Sequence, residues 1–219
     1  INIVDDEVYV TDRSDHVAVK FTLDGKPIQV IGDRGVFSDT GCENPGDLCP
    51  RAAGPFNYCT EMSTSPSGDI YISDGYRNAR VHRFSSDGQL KSSWGQPGKD
   101  SPGEFHLVHS LLVDPDGKVY VCDRANRRVQ IFSPDGEFIT MWTGMGGPDN
   151  IVRDSEGIFY IAEQADESGD SHVSIWDVDG TVLERWPIRH AHGLEVDANG
   201  DIYLGLTIEQ SVDKYVRQR

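Results

Sequence analysis

Two histidines occupy the same place relative to the strand that follows each of them. His109 lies ten positions before Val119, which opens the segment Val-Tyr-Val, and His192 lies ten positions before Ile202, which opens Ile-Tyr-Leu. If these segments repeat around an axis, both imidazoles face a common centre. Neutral imidazole is a common zinc ligand, and three of them leave a fourth position for water or substrate. The structural alternative is a pair of buried histidines with ordinary hydrogen bonds.

A repeated strand pattern positions these histidines. The triplet apolar-Tyr-apolar occurs five times, with tyrosines 40 to 62 residues apart, at Tyr9, Tyr71, Tyr120, Tyr160 and Tyr203. This spacing is typical of four-stranded propeller blades. Asp-Gly, a strong hairpin signal, recurs after the third strand of the first four units. Because no segment shows sustained helical periodicity, the sequence predicts an all-β propeller of four-stranded blades with five visible repeats and few helices.

The first repeat is lengthened by an inserted loop at about 33–55, which is rich in glycine and proline. Loops of this length are commonly functional. The loop contains Cys42 and Cys49, for which we predict a disulfide bridge because the segment has no other obvious source of rigidity. Cys59 and Cys122 lie on predicted strands, where we expect buried free thiols.

Composition limits the function classes. The net charge of −16 repels phosphate backbones, so we do not expect nucleic-acid binding. No apolar run approaches the roughly 18 residues needed to span a bilayer. The 219 residues fit one domain, 1–219. The chain begins at Ile1, so any signal peptide lies outside it, and we expect an extracellular or periplasmic monomer.

Several motifs carry a resemblance to a known family. They are Tyr71 to Val81 (YISDGYRNARV), Trp94-Gly95, Pro102 to Phe105 (PGEF), Val108 to Leu111 (VHSL) and Asp123 to Arg128 (DRANRR). Together they resemble the NHL-repeat propeller of the peptidyl-α-hydroxyglycine α-amidating lyases, over nearly the whole chain and most closely from Phe56 to Trp142. The resemblance implies a six-bladed ring whose first blade would be missing here.

The resemblance also implies a site. A zinc ion would lie in the central channel, held by three histidines from alternate blades, with calcium as a candidate structural ion. Two ligands match His109 and His192, and the third would fall upstream of Ile1. Tyr76 matches the catalytic tyrosine, as base or metal-proximal group. Arg124 matches the arginine that holds the substrate carboxylate, a role that suits its planar charged guanidinium.

Other positions have structural or supporting interpretations. His106 and His190 lie close to the two ligand histidines, where each could support the ligands, replace one, or belong to the rim. Arg80 and Arg128 each follow an aspartate and an asparagine, a repeated arrangement that indicates a structural clasp within the blade. The family has methionine where His190 stands.

The sequence therefore predicts a zinc-dependent carbon–nitrogen lyase. Its substrate would be an α-hydroxyglycine, either a small N-acyl hemiaminal or a peptide, and its products an amide and glyoxylate. Two alternatives stay open. One is a non-catalytic NHL propeller that binds a protein partner or a cation, and the other is a propeller hydrolase with calcium in its channel.

Overall fold

The computed structural model describes residues 1–218. Its strands form successive antiparallel sheets, which we call blades. Within each blade, strands that are neighbours in the chain pair with each other. Blade 1 comprises β1 (Asn2–Val4), β2 (Glu7–Asp12), β3 (Val17–Thr22) and β4 (Pro27–Ile31). Blade 2 comprises β5 (Cys59–Thr64), β6 (Ile70–Asp74), β7 (Arg80–Phe84) and β8 (Leu90–Trp94). A short parallel pair, β9 (Gln96–Pro97) and β10 (Glu104–Phe105), follows.

Three more blades complete the described chain. Blade 3 comprises β11 (Val108–Val113), β12 (Val119–Asp123), β13 (Arg128–Phe132) and β14 (Phe138–Trp142). Blade 4 comprises β15 (Pro148–Arg153), β16 (Phe159–Glu163), β17 (Ser171–Trp176) and β18 (Val182–Ile188). Blade 5 has three strands, β19 (Gly193–Val196), β20 (Ile202–Leu206) and β21 (Ser211–Tyr215). The predicted all-β propeller with five repeats is confirmed.

Helical structure is limited to one 3₁₀ helix, Arg124–Asn126, within residues 1–218. This agrees with the absence of helical periodicity in the sequence. Accordingly, the described part of the chain has no helix that is both long and apolar enough to cross a membrane.

The repeated tyrosine has a structural role in three blades. Tyr120 donates its hydroxyl hydrogen to Asp114, six residues earlier, at 3.2 Å, and Tyr160 and Tyr203 contact the corresponding aspartates at 3.0 and 3.1 Å. The turn between the first two strands is thereby tied to the second strand. Asp-Gly turns close the hairpins further out, and Gly136 has a φ of 87°, a value that favours glycine.

The hydrophobic core is divided among the interfaces between consecutive blades. Residues 1–218 contain four clusters of buried apolar side chains, one between each successive pair of blades. Phe105, Phe132 and Val81 belong to the cluster between blades 2 and 3. Full burial of one such side chain contributes about 1.5–3 kcal/mol. The apolar faces of the sheets are buried against neighbouring blades. The core therefore does not depend on apolar residues at the start of the innermost strands, and polar side chains can occupy those positions.

The inserted loop contains no strand or helix, and its cysteines are not bridged. Cys42 and Cys49 are free thiols whose sulfur atoms approach the same carbonyl oxygen, that of Asp47, at 3.7 and 3.8 Å. The structure therefore does not contain the expected disulfide. Cys59 and Cys122 are buried free thiols, in agreement with their strand positions.

The predicted clasp takes a different form in each of its two blades. In blade 3, Arg128 donates to Asp123 at 2.8 Å. In blade 2, the equivalent Asp74 is held by Asn78 at 2.8 Å and His82 at 3.2 Å, and Arg80 turns instead to a backbone carbonyl. The aspartate at the end of the second strand is the common element.

Candidate metal centre

The innermost strands of blades 3 and 4 each contain an irregularity near their start. In β11 the pairing shifts between Val108 and Ser110, which leaves His109 without a cross-strand partner. In β15 the pairing shifts in the same way around Asp149. A bulge redirects the side chain of the extra residue. Equivalent backbone irregularities therefore orient His109 and Asp149.

His192 reaches the same place from blade 5. It lies directly before β19, and its amide donates to the carbonyl oxygen of Gly205 in β20 at 2.9 Å. The Nε2 atoms of His192 and His109 are 3.2 Å apart, and the ring centroids are 4.7 Å apart. The structure thus brings together the two histidines that share the ten-residue offset.

A backbone hydrogen bond orients the His109 ring. Nδ1 of His109 lies 2.6 Å from the carbonyl oxygen of Asp149. Because a carbonyl oxygen only accepts, Nδ1 carries the proton and Nε2 keeps its lone pair, which faces His192. Metal-binding histidines commonly donate their other ring nitrogen in this way.

Asp149 is a third candidate ligand, which a search for histidines alone does not reveal. Its buried carboxylate and the two histidines offer ligand atoms that all lie within 4.8 Å of one another. Asp149 also stands ten positions before Phe159, the first residue of β16. The same offset therefore identifies Asp149 once carboxylates are considered together with imidazoles.

Three side chains hold the carboxylate of Asp149. Arg124 Nη1 donates to Oδ1 at 2.8 Å, and Gln164 Nε2 donates to the same oxygen at 3.2 Å. His190 Nε2 lies 2.9 Å from Oδ2. A buried carboxylate needs such partners, since burial of an unpaired charge is costly. Arg124 and His190 therefore orient a candidate ligand.

Tyr76 contacts the centre from blade 2. Its hydroxyl oxygen lies 3.0 Å from His109 Nε2, and the two rings meet edge to face. The preceding Gly75 packs against the backbone of β11 so closely that a Cβ atom there would lie 1.9 Å from the carbonyl oxygen of Val108. The glycine in the Asp-Gly-Tyr motif thus permits the approach that brings Tyr76 to His109.

The inserted loop supports the turn that carries Tyr76. The amide of Gly46 donates to the carbonyl oxygen of Tyr76 at 2.6 Å. Thr40 donates its hydroxyl hydrogen to the carbonyl oxygen of Arg77 at 2.6 Å, and the Arg77 guanidinium donates to the carbonyl oxygen of Glu43 at 2.6 Å. The position of Tyr76 therefore depends on a loop distant in sequence.

Burial lowers the pKa of both histidines. The pKa of His109 lies well below its usual value, first because of burial and then because of the positive charge of Arg124. Burial is also the largest cause of the lowered pKa of His192, and the negative charge of Asp149 opposes it. Both imidazoles are therefore neutral at pH 7, the form that binds a metal.

The donor set fits a divalent transition metal or zinc. Two nitrogen ligands at about 2.0–2.1 Å in tetrahedral geometry lie about 3.3 Å apart. The Nε2 atoms of His109 and His192, at 3.2 Å, match that separation. Two imidazoles with a carboxylate are used by zinc and by non-haem iron, whereas calcium prefers oxygen ligands. His109, His192 and Asp149 are thus the residues that would hold the ion.

The three candidate ligands adjoin a cavity, and the two neighbouring histidines differ in what they contact. His109, Asp149 and His192 line part of a cavity of 480 Å³ that also extends along the inner strands. His106, in contrast, points to the inserted loop, with Nε2 3.1 Å from the carbonyl oxygen of Gly46. Of the two neighbouring histidines considered from the sequence, only His190 contacts a candidate ligand.

Comparison with known proteins agrees with the fold and the motifs. The NHL repeat model matches residues 105–132. NHL repeat-containing protein 3 of Homo sapiens is 29% identical over 98% of the chain, and the probable peptidyl-alpha-hydroxyglycine alpha-amidating lyase pgal-1 of Caenorhabditis elegans is 26% identical over 90%. The chain spans 64% and 57% of the length of these relatives.

A solved structure shows the same architecture. Virginiamycin B lyase from Staphylococcus aureus superposes with a TM-score of 0.66 at 12% identity, covering 100% of this chain and 69% of that one. At this identity the likeness concerns the fold alone. The fold is a β-propeller, and one of its segments matches the NHL repeat. In sequence the chain is similar to an NHL repeat-containing protein and to a probable peptidyl-alpha-hydroxyglycine alpha-amidating lyase.

Proposed function

We propose that the protein is a metal-dependent lyase that cleaves the carbon–nitrogen bond of an α-hydroxyglycine-type substrate. The products would be an amide and glyoxylate. The observation that carries the proposal is the convergence of two neutral imidazole nitrogens, a buried carboxylate and a phenol hydroxyl at one point, contributed by blades 2 to 5. The name of the nematode relative supports the reaction type.

His109, His192 and Asp149 would hold the ion, and zinc fits this ligand set. When bound, zinc would act as a Lewis acid that polarises the substrate hydroxyl. The protein itself orients the ligands: the backbone carbonyl of Asp149 fixes the His109 ring, and Arg124 and His190 fix the Asp149 carboxylate.

Tyr76 would move the proton. In the proposed reaction Tyr76 relays one proton: its oxygen takes the proton of the substrate hydroxyl as its own hydroxyl proton passes to the amide nitrogen. The C–O bond of the substrate becomes the carbonyl of glyoxylate, and the electrons of the C–N bond leave with the amide nitrogen. Tyr76 ends as a neutral phenol, so atoms and charge balance. The guanidinium groups of Arg13 and Arg124, 5.1 and 5.4 Å from the Tyr76 ring centroid, would offset developing negative charge.

Arg124 is the proposed contact for the substrate carboxylate. Only its Nη1 donates to Asp149, and a guanidinium has five N–H donors in all. Its side chain is 12% exposed, so Arg124 is not wholly enclosed by the protein. Arg124 would then join the carboxylate of the substrate to the carboxylate that holds the ion.

Turnover of N-benzoyl-α-hydroxyglycine tests the proposal. The purified protein is supplied with zinc, and glyoxylate and benzamide are quantified. We expect equal amounts of the two products, loss of activity after chelation, and recovery when zinc is added back. Absence of both products with zinc, manganese, cobalt and iron(II) in turn would overturn the proposal.

A non-catalytic propeller is the second candidate. The human relative, which aligns over 98% of the chain, has a name that states the repeat and no reaction. A protein that binds one zinc ion at His109 and His192 but turns over no α-hydroxyglycine would support this alternative. Metal stoichiometry and turnover measured on the same sample therefore separate the two functions.

A further inference from the structure

The residue that follows the second strand faces the centre in successive blades. Arg124 directly follows β12 and contacts Asp149, and Gln164 directly follows β16 and contacts the same carboxylate. Tyr76 follows β6 after one glycine and contacts His109. In blade 1 the same position, directly after β2, is occupied by Arg13. The repeat therefore places Arg13 at the same end of its blade as Tyr76, Arg124 and Gln164 in theirs.

Arg13 lies beside the site but has no charged partner. Its guanidinium carbon is 5.1 Å from the centroid of the Tyr76 ring and 5.5 Å from that of the Tyr58 ring. The residue is exposed, and no carboxylate of residues 1–218 pairs with it. Arg124, by comparison, is largely buried and already paired with Asp149. Arg13 thus offers its guanidinium to a group from solution.

A second arginine adjoins Arg13. The guanidinium carbon of Arg77 is 4.8 Å from the centroid of the same Tyr58 ring. Its Nη2 donates to the carbonyl oxygen of Glu43, while its Nε is buried without a partner within the described chain. Two guanidinium groups against one aromatic ring repel each other, and an anion between or beside them would offset that repulsion.

Unpaired arginines are unusual in this chain because acidic residues outnumber basic ones, 36 to 20. Most arginines of the described chain hold a carboxylate; they are Arg34, Arg51, Arg83, Arg124, Arg127, Arg128, Arg185, Arg189 and Arg217. Within residues 1–218, Arg13, Arg77, Arg80 and Arg153 have none. Of these four, Arg13 and Arg77 lie against the Tyr58 ring beside the candidate site, where a free positive charge attracts an anionic ligand.

We propose that Arg13, together with Arg77, binds a second carboxylate, located on the acyl half of the substrate. The inference rests on the proposed lyase function and adds a substrate class to it. Arg124 and Arg13 both lie against the Tyr76 ring, so a substrate held beside Tyr76 is close to two arginines. The preferred substrates are therefore dianions: N-acyl-α-hydroxyglycines whose acyl group carries a carboxylate, including peptides with an acidic residue before the hydroxyglycine.

Two substrates of equal length test this preference. N-succinyl-α-hydroxyglycine ends in a carboxylate, and N-butyryl-α-hydroxyglycine ends in a methyl group. A guanidinium–carboxylate contact predicts a kcat/KM about tenfold higher for the succinyl compound. The preference should shrink as salt is raised, since ions screen exposed charges. A ratio near one at low salt would overturn the proposal.

Substitution of Arg13 tests whether this arginine causes the preference for the succinyl substrate. Arg13→Gln should reduce the ratio of the two kcat/KM values about tenfold. Arg34→Gln is the matched control, because Arg34 is also exposed but pairs with Asp15 at 2.7 Å, and it should keep the ratio. An unchanged ratio in Arg13→Gln would show that the preference, if present, does not arise from this arginine.

A binding measurement separates this proposal from the lyase function. Succinate and butyrate are titrated calorimetrically into the metal-free protein and into Arg13→Gln. Succinate binding that Arg13→Gln abolishes, in a protein without lyase activity, would support the anion site and overturn the proposed reaction. Turnover of both substrates at equal rates, with no succinate binding, would support the reaction and overturn the anion site.

Discussion

The lone pair of His109 Nε2 faces both His192 Nε2, at 3.2 Å, and the hydroxyl of Tyr76, at 3.0 Å. The one lone pair of His109 Nε2 can accept a hydrogen bond from only one of these two groups, so the other contact is left without one. A cation between the nitrogens would resolve that contact. Each residue of the centre therefore has a role that can be measured by itself, either in binding the ion or in transferring the proton.

His109→Ala should abolish stoichiometric zinc binding and reduce turnover to background, because it removes a nitrogen ligand that the bulge of β11 orients. Elemental analysis of the purified variant measures the metal. His172→Ala is the control, since His172 lies on β17 and its Nδ1 accepts from Arg185 at 3.1 Å, away from the centre. Zinc retained at full stoichiometry in His109→Ala would exclude His109 as a ligand.

Tyr76→Phe should lower turnover of N-benzoyl-α-hydroxyglycine by about 10²- to 10⁴-fold, the usual contribution of a general acid–base group. Zinc content should stay unchanged, since His109, His192 and Asp149 remain. The circular dichroism spectrum should also be retained, because the ring still packs against His109. Wild-type turnover in Tyr76→Phe would mean that another group moves the proton.

The candidate ligands differ in how readily the sequence reveals them. His109 and His192 are apparent because a repeat places the same residue type at the same offset. Asp149 shares the offset but not the residue type, so a pattern of histidines overlooks it. The ion pair between Asp149 and Arg124 joins residues of neighbouring blades, and spacing within one repeat carries no information on such a contact.

Among the connecting segments, the turn after β6 has the strictest steric requirement. Gly75→Ala would place a methyl group 1.9 Å from the carbonyl oxygen of Val108, so either the turn or the start of β11 must move. A displacement of about 1 Å at a reacting group costs roughly 100-fold in rate. We therefore expect a large loss of turnover for Gly75→Ala.

Gly54→Ala provides the matched control, because no atom lies within 4 Å of the position of its added methyl group and its φ is not positive. Zinc-dependent turnover should remain at the wild-type level in Gly54→Ala. Equal turnover in Gly75→Ala and Gly54→Ala would show that the close approach to β11 does not control the site.

The turn between β2 and β3 contains a histidine that should make stability depend on pH. The amide of Tyr58 donates to Nδ1 of His16 at 3.1 Å, and burial is the main cause of the lowered pKa of His16. The unfolded chain takes up this proton near pH 6.5, whereas the folded chain resists it. The contribution of His16 to stability is therefore complete above about pH 6.5 and is lost as the pH falls towards the folded-state pKa.

Replacing His16 by glutamine removes this titration. Between about pH 7.5 and about pH 5.5, which bracket the ordinary histidine pKa, the free energy of unfolding should fall less in His16→Gln than in the wild type. Urea unfolding at the two pH values measures both changes. The same decrease in both proteins would contradict the assignment of this proton to His16.

The strands were more predictable than the connections for a physical reason. Alternating apolar residues, the repeated tyrosine and Asp-Gly turns act within one hairpin, so their pattern is local. The inserted loop is held by distant groups, as in the contact of Gly46 with Tyr76. The expected bridge between Cys42 and Cys49 rested on loop composition, which does not determine whether two nearby thiols are oxidised.

The molecule as a whole is a series of blades joined by separate apolar interfaces. A metal held by His109, Asp149 and His192 would connect blades 3, 4 and 5 through their inner strands. Zinc at about 100 times its Kd should therefore raise the free energy of unfolding by about 2.7 kcal/mol. Denaturant unfolding with and without zinc measures the change, and His109→Ala should show none. A wild-type protein that zinc leaves unchanged would indicate that the three blades are not joined by an ion.

The irregularity in pairing at the start of the inner strands affects how metal ligands can change during evolution. Blades 2, 3 and 4 share it, with Thr60, His109 and Asp149 as the residues concerned. Since the backbone sets the direction of each of these side chains, one codon change exchanges the donor atom while the blade keeps its fold. Duplication of a blade also duplicates such a position. Propellers of this kind can therefore gain, exchange or lose a metal ligand one substitution at a time, so closely related chains can differ in the ion they hold.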